Sequence, residues 1–364
     1  MPTPRDLWIA EKARPAGHAD AAAFAAAHDL RGYRLDQLYR AATKELAADL
    51  EAITTLPKEL RAALSAESFA LESVEPTVVQ RSNDGQTTKA LFRLHDGNEV
   101  EAVLMEHHGG RTTVCISSQA GCAYACTFCS TGQAGFTRNL SATEIFDQAR
   151  FFARELALRE KKITNVVFMG MGEPFANYEA VMDAVALLHD PHGFGLGHRH
   201  ITISTVGLVD KIDRFADEHT QVNLAISLHA PTDATRSRIM PVNRKFSVDD
   251  LMAAVERYVG ATRRKVFFEY VMLAGVNDSD DDARALARRM RGPLYHVNLI
   301  PYNSTPDAAL RGSDEARLWA FAKLLEDAGV AVTVRTPMGR DIAAACGQLR
   351  AETQPKTRRA ASVG

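Results

Sequence analysis

The segment Cys122-Ala123-Tyr124-Ala125-Cys126-Thr127-Phe128-Cys129 sets three thiols four and then three positions apart. It follows a β-rich run, Thr112–Ser117, and precedes a helical pattern opening on Ser141-x-x-Glu144, a capping-box signature. The segment therefore reads as a loop between a strand and a helix. Three thiolates on one short loop can ligate three irons of a 4Fe–4S cluster, leaving the fourth iron open to a further ligand. A structural zinc site wants four ligands, usually as two separated pairs, and no second pair lies nearby. Inert buried thiols would not account for this spacing beside Tyr124 and Phe128. The expected ligands of the cluster are Cys122, Cys126 and Cys129.

Working outward from that loop, buried-looking strands alternate with helical patterns. Strands are expected at 112–117, 165–169, 200–205, 222–228, 266–272 and 295–300. Helices are expected at about 141–159, 177–189, 207–218, 247–260, 279–291 and 313–328. Six β–α units imply a parallel sheet, open or curled into a partial barrel, with its chemistry at the C-terminal strand ends. Val330–Arg335 reads as one more strand. Upstream, Thr77–Gln80, Ala90–Leu94, Glu99–Met105 and Thr112–Ser117 are separated by the turn signals Asn83-Asp84-Gly85, Asp96-Gly97 and Gly109-Gly110, which predicts antiparallel hairpins. The Ala-rich beginning is helical in pattern, with Leu35, Leu38, Tyr39, Leu46 and Leu50 at helical spacing and Pro57 opening a helix over 58–66. The division expected is a helical accessory domain over 1–72, a β-hairpin extension over 73–111, an α/β core over 112–349 and a basic tail over 350–364.

The bulk composition is that of a globular protein. The 364 residues carry a net charge of −2, with 46% hydrophobic and 24% charged residues, so no global basic field announces a nucleic-acid partner. Local basic clusters stand at Arg263-Arg264-Lys265, Arg288-Arg289 with Arg291, and Lys356 with Arg358-Arg359. Each taken alone reads as solvated surface charge. No apolar run reaches membrane-spanning length and no export signal is seen, so the expected compartment is the cytoplasm. An odd count of five cysteines in that setting favours metal or redox chemistry over disulfide staples.

The other strand ends carry polar groups. Gly170-Met171-Gly172-Glu173-Pro174 follows the second strand of the series, where glycines permit close backbone approach and Glu173 offers a carboxylate to an ammonium. Ser204, then Ser227-Leu228-His229, then Asn303 fall at later strand ends. Singly each is a capping or turn residue; together they could line one pocket. Cys115 precedes Cys122 by seven positions, and Cys346 stands far away in Ala345-Cys346-Gly347-Gln348-Leu349. As isolated cysteines both would be read as buried thiols.

The three-cysteine loop resembles that of the radical S-adenosylmethionine superfamily. Four motifs in order narrow the likeness: Cys115-Ile116-Ser117-Ser118-Gln119-Ala120-Gly121-Cys122, Gly170–Pro174, Ile226-Ser227-Leu228-His229-Ala230-Pro231 and Ala345–Leu349. Together they resemble the RlmN/Cfr family of RNA adenine methyltransferases over about Glu99 to Leu349. The resemblance implies a radical SAM partial (βα)6 barrel, a 4Fe–4S cluster and two S-adenosylmethionine molecules per turnover. It implies cofactor contacts from Gly172, Glu173, Ser204, Ser227, Leu228, His229 and Asn303.

By the same resemblance, Cys346 is methylated first and Cys115 is the resolving thiol that closes a transient disulfide with it. In between, a 5′-deoxyadenosyl radical removes hydrogen from the new methyl group, and the carbon adds to adenine. Glu101 matches the family's proton acceptor, with Glu106 as a nearby competitor. The implied product is C2-methyladenosine at adenosine 2503 of 23S rRNA and adenosine 37 of tRNA, Pro174 favouring that branch. The alternative is C8 methylation of the same rRNA adenosine, which confers antibiotic resistance, and Leu294–Leu299 also occurs there. A reductant such as flavodoxin or ferredoxin, a monomer and no membrane partner complete the expectation.

Overall fold

A computed structural model describes residues 2–218, 221–303 and 310–349; the basic tail expected at 350–364 lies outside the described residues. Helices α1 (Pro4–Ala13), α2 (Ala21–Ala27), α3 (Gly32–Thr43) and α4 (Lys58–Ala66) come first. Thr3 and Asp20 cap α1 and α2 by accepting from backbone amides, which satisfies donors the first helical turn leaves over.

The turn signals then join β1 (Val74–Arg81), β2 (Thr87–Leu94), β3 (Glu99–Glu106) and β4 (Thr112–Cys115) in an antiparallel run. Beyond β4 come β5 (Gln119–Gly121), the three-cysteine loop, α5 (Ser130–Ala134) and β6 (Phe136–Asn139). β5 and β6 pair antiparallel, forming a hairpin around the loop. The βα series continues as α6 (Ala142–Ala157), β7 (Asn165–Phe168), α7 (Tyr178–His189), β8 (Ile201–Thr205), α8 (Val209–Glu218), β9 (Asn223–Ser227) and α9 (Asp233–Ile239). It ends as α10 (Val248–Thr262), β10 (Val266–Met272), α11 (Asp280–Arg289), β11 (Tyr295–Pro301), α12 (Glu315–Asp327) and β12 (Val332–Val334).

Ten strands form one sheet in the order β1-β2-β3-β4-β7-β8-β9-β10-β11-β12. From β4 to β12 every neighbour is parallel, so the strands point their C-terminal ends one way. The sheet does not close: β1 and β12 are its edges, and Pro76 with its register slip sits on the edge strand, where no ladder bond is lost. The β1–β3 extension is thus continuous with the core sheet. Ser141 and Ser247 each form capping boxes that start α6 and α10.

Four short elements fall outside the sequence pattern: β5, α5, β6 and α9. Helix α9 is seven residues of Asp-Ala-Thr-Arg-Ser-Arg-Ile with no apolar stripe. Strand β6 has one apolar residue, and that one, Phe136, is exposed. Neither carries a periodic signal, because tertiary partners hold both in place.

Helices α1–α4 dock on α6 and α7 through polar groups taken out of water. The Lys12 ammonium is ion-paired with Asp147 of α6, both almost fully buried, and donates to the Ser73 hydroxyl at 2.8 Å. Arg150, fully buried, donates to the Ala42 carbonyl at 2.8 Å and the Glu72 carboxylate at 2.7 Å. Tyr39 donates to Asp190 at 2.7 Å. Buried pairs of this kind fix one docking geometry more than they add stability, since desolvation offsets much of their attraction. Among the described residues no helix is long and apolar enough to cross a membrane.

Candidate active site

The three-cysteine loop is folded by its own backbone. Gly121 has φ +78°, and a Cβ there would lie 2.0 Å from the Gly135 carbonyl oxygen, so only glycine lets the hairpin close. The Cys122 amide then donates to that carbonyl at 2.8 Å, and the Cys129 amide to Cys126 at 3.1 Å. Ala125 takes a left-handed turn at φ 49°. Burial pushes the Cys122 thiol up to about 12, with Glu173 and Cys129 adding to the rise. Cys126 is raised well above the ordinary thiol by burial and then by the charges of Cys129 and Cys122. The three thiols thus lie within one another's electrostatic reach. Yet the one group of three His, Cys, Asp or Glu ligand atoms within 4.8 Å of one another, among the described residues, is elsewhere. A single tetrahedral zinc would hold sulfurs about 3.8 Å apart. A wider trio with a shared field suits a multi-iron cluster, and these residues fit one.

Around that loop the strand ends converge. Glu173 is buried, and its two carboxylate oxygens accept from the Phe175 amide at 3.0 Å and the Val206 amide at 2.8 Å. Burial raises it to about 7 against those bonds, so an ammonium beside it would find a carboxylate easily held ionised. The two glycines before it have a different neighbour from the one the sequence suggested. A Cβ on Gly170 would lie 2.7 Å from the Ile116 carbonyl oxygen, and one on Gly172, at φ +100°, 2.5 Å from Gln119 Cβ. They let the β7 loop press on the segment between β4 and β5.

Ser204 and Ser227, on adjacent strand ends, have hydroxyls 3.3 Å apart. Leu228 and His229 both donate their amides to the Glu269 carbonyl, at 3.1 and 3.2 Å. His229 accepts at Nδ1 from the Val271 amide at 3.0 Å and sets its ring edge-on to Phe128 at 4.7 Å. Burial and then Arg236 lower it to about 3, so it is a neutral imidazole with Nε2 as its donor.

Sequence reasoning did not single out Arg236, in α9. It is fully buried, donating to the carbonyls of Val206 at 2.7 Å, Leu228 at 3.0 Å and Ser227 at 3.1 Å. Burial lowers it to about 10, opposed by the charges of Cys126 and Asp233. It ties the β8 and β9 ends together and places a cation where thiolate charge gathers. An arginine among polar neighbours looks like surface charge in sequence; only its closeness to Ala230-Pro231 hinted otherwise.

The C-terminal segment reaches the same place from outside the strand series. The Ser130 amide donates to the Gly347 carbonyl at 2.8 Å, and the Thr131 hydroxyl to the Leu349 carbonyl at 2.7 Å. Asn303 donates to the Cys346 carbonyl at 3.3 Å and accepts from Arg340 at 2.7 Å. Asn303 therefore holds the Cys346 segment. Cys346 is solvent-exposed, yet the protein around it raises its thiol. Glu269, a buried carboxylate on β10 bonded to Asn298 at 2.8 Å, adds to that rise. Cys115 is raised by burial and next by Cys346, so the two thiols share one field. All five cysteines are free.

Glu101 and Glu106 part company in the structure. Register places Glu101 two residues from Val103, which pairs with Cys115, so Glu101 and Cys115 occupy one face of the sheet. Glu101 is buried, with Lys89 at 2.9 Å, and Lys89 also lies 3.4 Å from the Ala343 carbonyl. Glu106 is at the outer end, bonded to Arg159 at 2.7 Å and Lys161 at 2.6 Å. That ion cluster occupies its carboxylate.

A family model described as the radical SAM superfamily matches residues 116–287. A probable dual-specificity RNA methyltransferase RlmN of Chloroflexus aurantiacus is 51% identical over 328 residues, covering 87% of this chain and 86% of its own. The ribosomal RNA large subunit methyltransferase N of Nitrosopumilus maritimus is 44% identical, covering 88% of this chain and 93% of its own. The crystal structure of a radical SAM methyltransferase from Sphaerobacter thermophilus superposes with a TM-score of 0.87 at 49% identity, covering 90% of this chain and 95% of that one.

Proposed function

The chain belongs to the RlmN family of radical S-adenosylmethionine RNA methyltransferases, and from that premise we propose that it methylates C2 of adenosine 2503 in 23S rRNA and adenosine 37 in tRNA. The observation that carries the reading is that the Ser130–Gly347 and Asn303–Cys346 hydrogen bonds, at 2.8 and 3.3 Å, bring the Cys346 segment to the three-cysteine loop and the strand ends, in the same sheet whose strand β4 ends on Cys115.

Cys122, Cys126 and Cys129 would hold a 4Fe–4S cluster, which when bound would supply the electron for reductive cleavage of S-adenosylmethionine. The residues that would seat the cofactor are Gly172, Glu173, Ser204, Ser227, Leu228, His229 and Asn303, two molecules being used per turnover. Cys346 accepts the first methyl group on its sulfur. After loss of one hydrogen atom, that carbon bonds to adenine C2 and joins protein to RNA, and the adduct gives up one electron, which the cluster would take back. Glu101, whose carboxylate pairs with Lys89 at 2.9 Å, takes the ring proton. Cys115 then attacks the Cys346 sulfur, the sulfur–carbon bond breaks with its electron pair on carbon, that carbon takes up a proton to become the methyl group, and a disulfide remains for a reductant to reopen. The adenine must leave its stack to reach the strand ends. Helices α1–α4 are assigned to RNA docking, flavodoxin or ferredoxin to electron supply, and the chain to a cytoplasmic monomer.

Cys115→Ala should accumulate RNA covalently attached at Cys346, seen as a denaturation-resistant band. Cys346→Ala should cleave the cofactor but give neither adduct nor methylation. Full methylation by either variant overturns the scheme. Mass-spectrometric mapping of the product separates C2 from C8, and C8 methyladenosine would move the chain to the resistance branch.

A further inference from the structure

Outside the strand ends, one cluster has the chemistry of a metal site. His18 Nε2 and His28 Nε2 converge on the same carboxylate oxygen, Glu67 Oε2, at 3.1 and 3.0 Å. All three ligand atoms lie within 4.8 Å of one another. We propose that His18, His28 and Glu67 bind one zinc-like transition-metal cation that clasps the ends of three helices in the N-terminal part of the chain.

The three side chains are prepositioned by backbone far apart in sequence. His18 follows Gly17, whose φ of 91° ends the turn after α1, and its amide donates to Ala13 at 3.2 Å. His28 terminates α2, its amide donating to Phe24 at 3.3 Å. Glu67 terminates α4, its amide donating to Ala63 at 3.2 Å, before Ser68 turns left-handed at φ 60°. Phe24 braces both imidazoles, 5.4 Å from His18 and 4.9 Å from His28, and itself stacks on Phe69 at 5.0 Å. The imidazoles are mostly covered, at 14% and 6% side-chain exposure, whereas Glu67 is 40% exposed. Rings that cannot swing away point their nitrogens at a site open to water on one side.

Zinc–nitrogen and zinc–oxygen bonds of about 2.0–2.2 Å put tetrahedral ligand atoms about 3.3–3.5 Å apart. The two nitrogen–oxygen separations, 3.1 and 3.0 Å, need only tenths of an ångström to reach that. Two imidazoles and a carboxylate select zinc, cobalt or nickel over magnesium and calcium, which prefer all-oxygen sets. The fourth position would hold water. The competing occupant is a proton on each ring, each donating to the carboxylate.

The test uses the cluster-reconstituted holoenzyme, so that the three loop thiols are already occupied, and reads zinc as a difference between proteins that share Cys115 and Cys346. Zinc is added, free metal is removed by gel filtration, and bound zinc is measured by elemental analysis. Wild type should retain about one zinc per chain more than His28→Ala, and magnesium should not displace it. Glu67→Gln, a change at an exposed position, should lower the retained zinc and abolish the rise in melting temperature that zinc gives wild type. Equal zinc in wild type and both variants overturns the proposal. The readout is metal content, so it stands or falls apart from methyl transfer.

Discussion

The loop bearing Cys122, Cys126 and Cys129 and the segment bearing Cys346 occupy one site but are held by opposite means. The first closes mainly on itself: Cys122 bonds to Gly135, Cys129 to Cys126 and Gln133 to Cys129, with one remote tie from the Thr127 amide to Ile239. The second makes turns of its own, Ala344 to Gly339 and Gln348 to Ala345, but is placed by remote bonds. Residues 339–349 are tied by Asp341 to Asn83, by Ala343 to Lys89, by Cys346 to Asn303, and by Gly347 and Leu349 to Ser130 and Thr131. A self-closed loop keeps three sulfurs in a fixed frame for a cluster. A segment held by many weak, remote bonds can release one residue while the rest stay attached. That suits the role proposed for Cys346, whose sulfur would serve a cofactor, an adenine and Cys115 in turn.

The largest effect should come from breaking the self-closed region. Cys126→Ser removes a ligand from the middle of the trio, and iron content with product formation should both fall below detection. Retained iron with full activity would sink the assignment. Next, Glu101→Gln should leave iron untouched and slow methylation by about 10²–10⁴-fold, the usual contribution of a positioned base. Glu106→Gln, already occupied by surface cations, should change little; a reversed order would exchange the two roles. Asn303→Ala removes the bridge between Cys346 and Arg340. At about 1 kcal/mol for each lost bond, methylation should drop about tenfold or more while iron content stays constant. Parallel loss of iron would show that the two regions are one unit.

The same contrast explains what the sequence disclosed. The six βα units were legible because apolar periodicity is a local property, and observed helices such as α7 and α10 lie within two residues of expectation. The cysteine trio was legible for the same reason, its spacing being local. The reason for Gly172 was not: its bare Cα faces Gln119, fifty-odd positions away, so a turn signal was visible and its neighbour was not. Arg236 and α9 carry no apolar stripe and become buried only because Val206, Ser227 and Leu228 offer carbonyls. Asn303 at a strand end suggested a cofactor pocket; that its amide also holds the Cys346 segment, a partner 43 positions away, was not visible. Local patterns fix elements, and remote polar partners decide which side chains serve the site.

The smallest expected effect is the sharpest test of separability. Thr131 sits in α5, directly after the cysteine loop, and its buried hydroxyl donates to the Leu349 carbonyl. Thr131→Val keeps the shape and removes that one bond, while the neighbouring bond from the Ser130 amide to Gly347 is made by backbone and survives. A loss of about 1 kcal/mol on the closed segment makes its opening about fivefold more frequent. Amide hydrogen exchange across the segment bearing Cys346 should then be about fivefold faster, with iron content and the melting temperature of the cluster-loaded protein nearly unchanged. Unchanged exchange would mean that the segment is held as a rigid part of the core. Iron loss would mean that α5 transmits strain straight into the cysteine loop. Either result would remove the distinction between a fixed frame and a releasable arm.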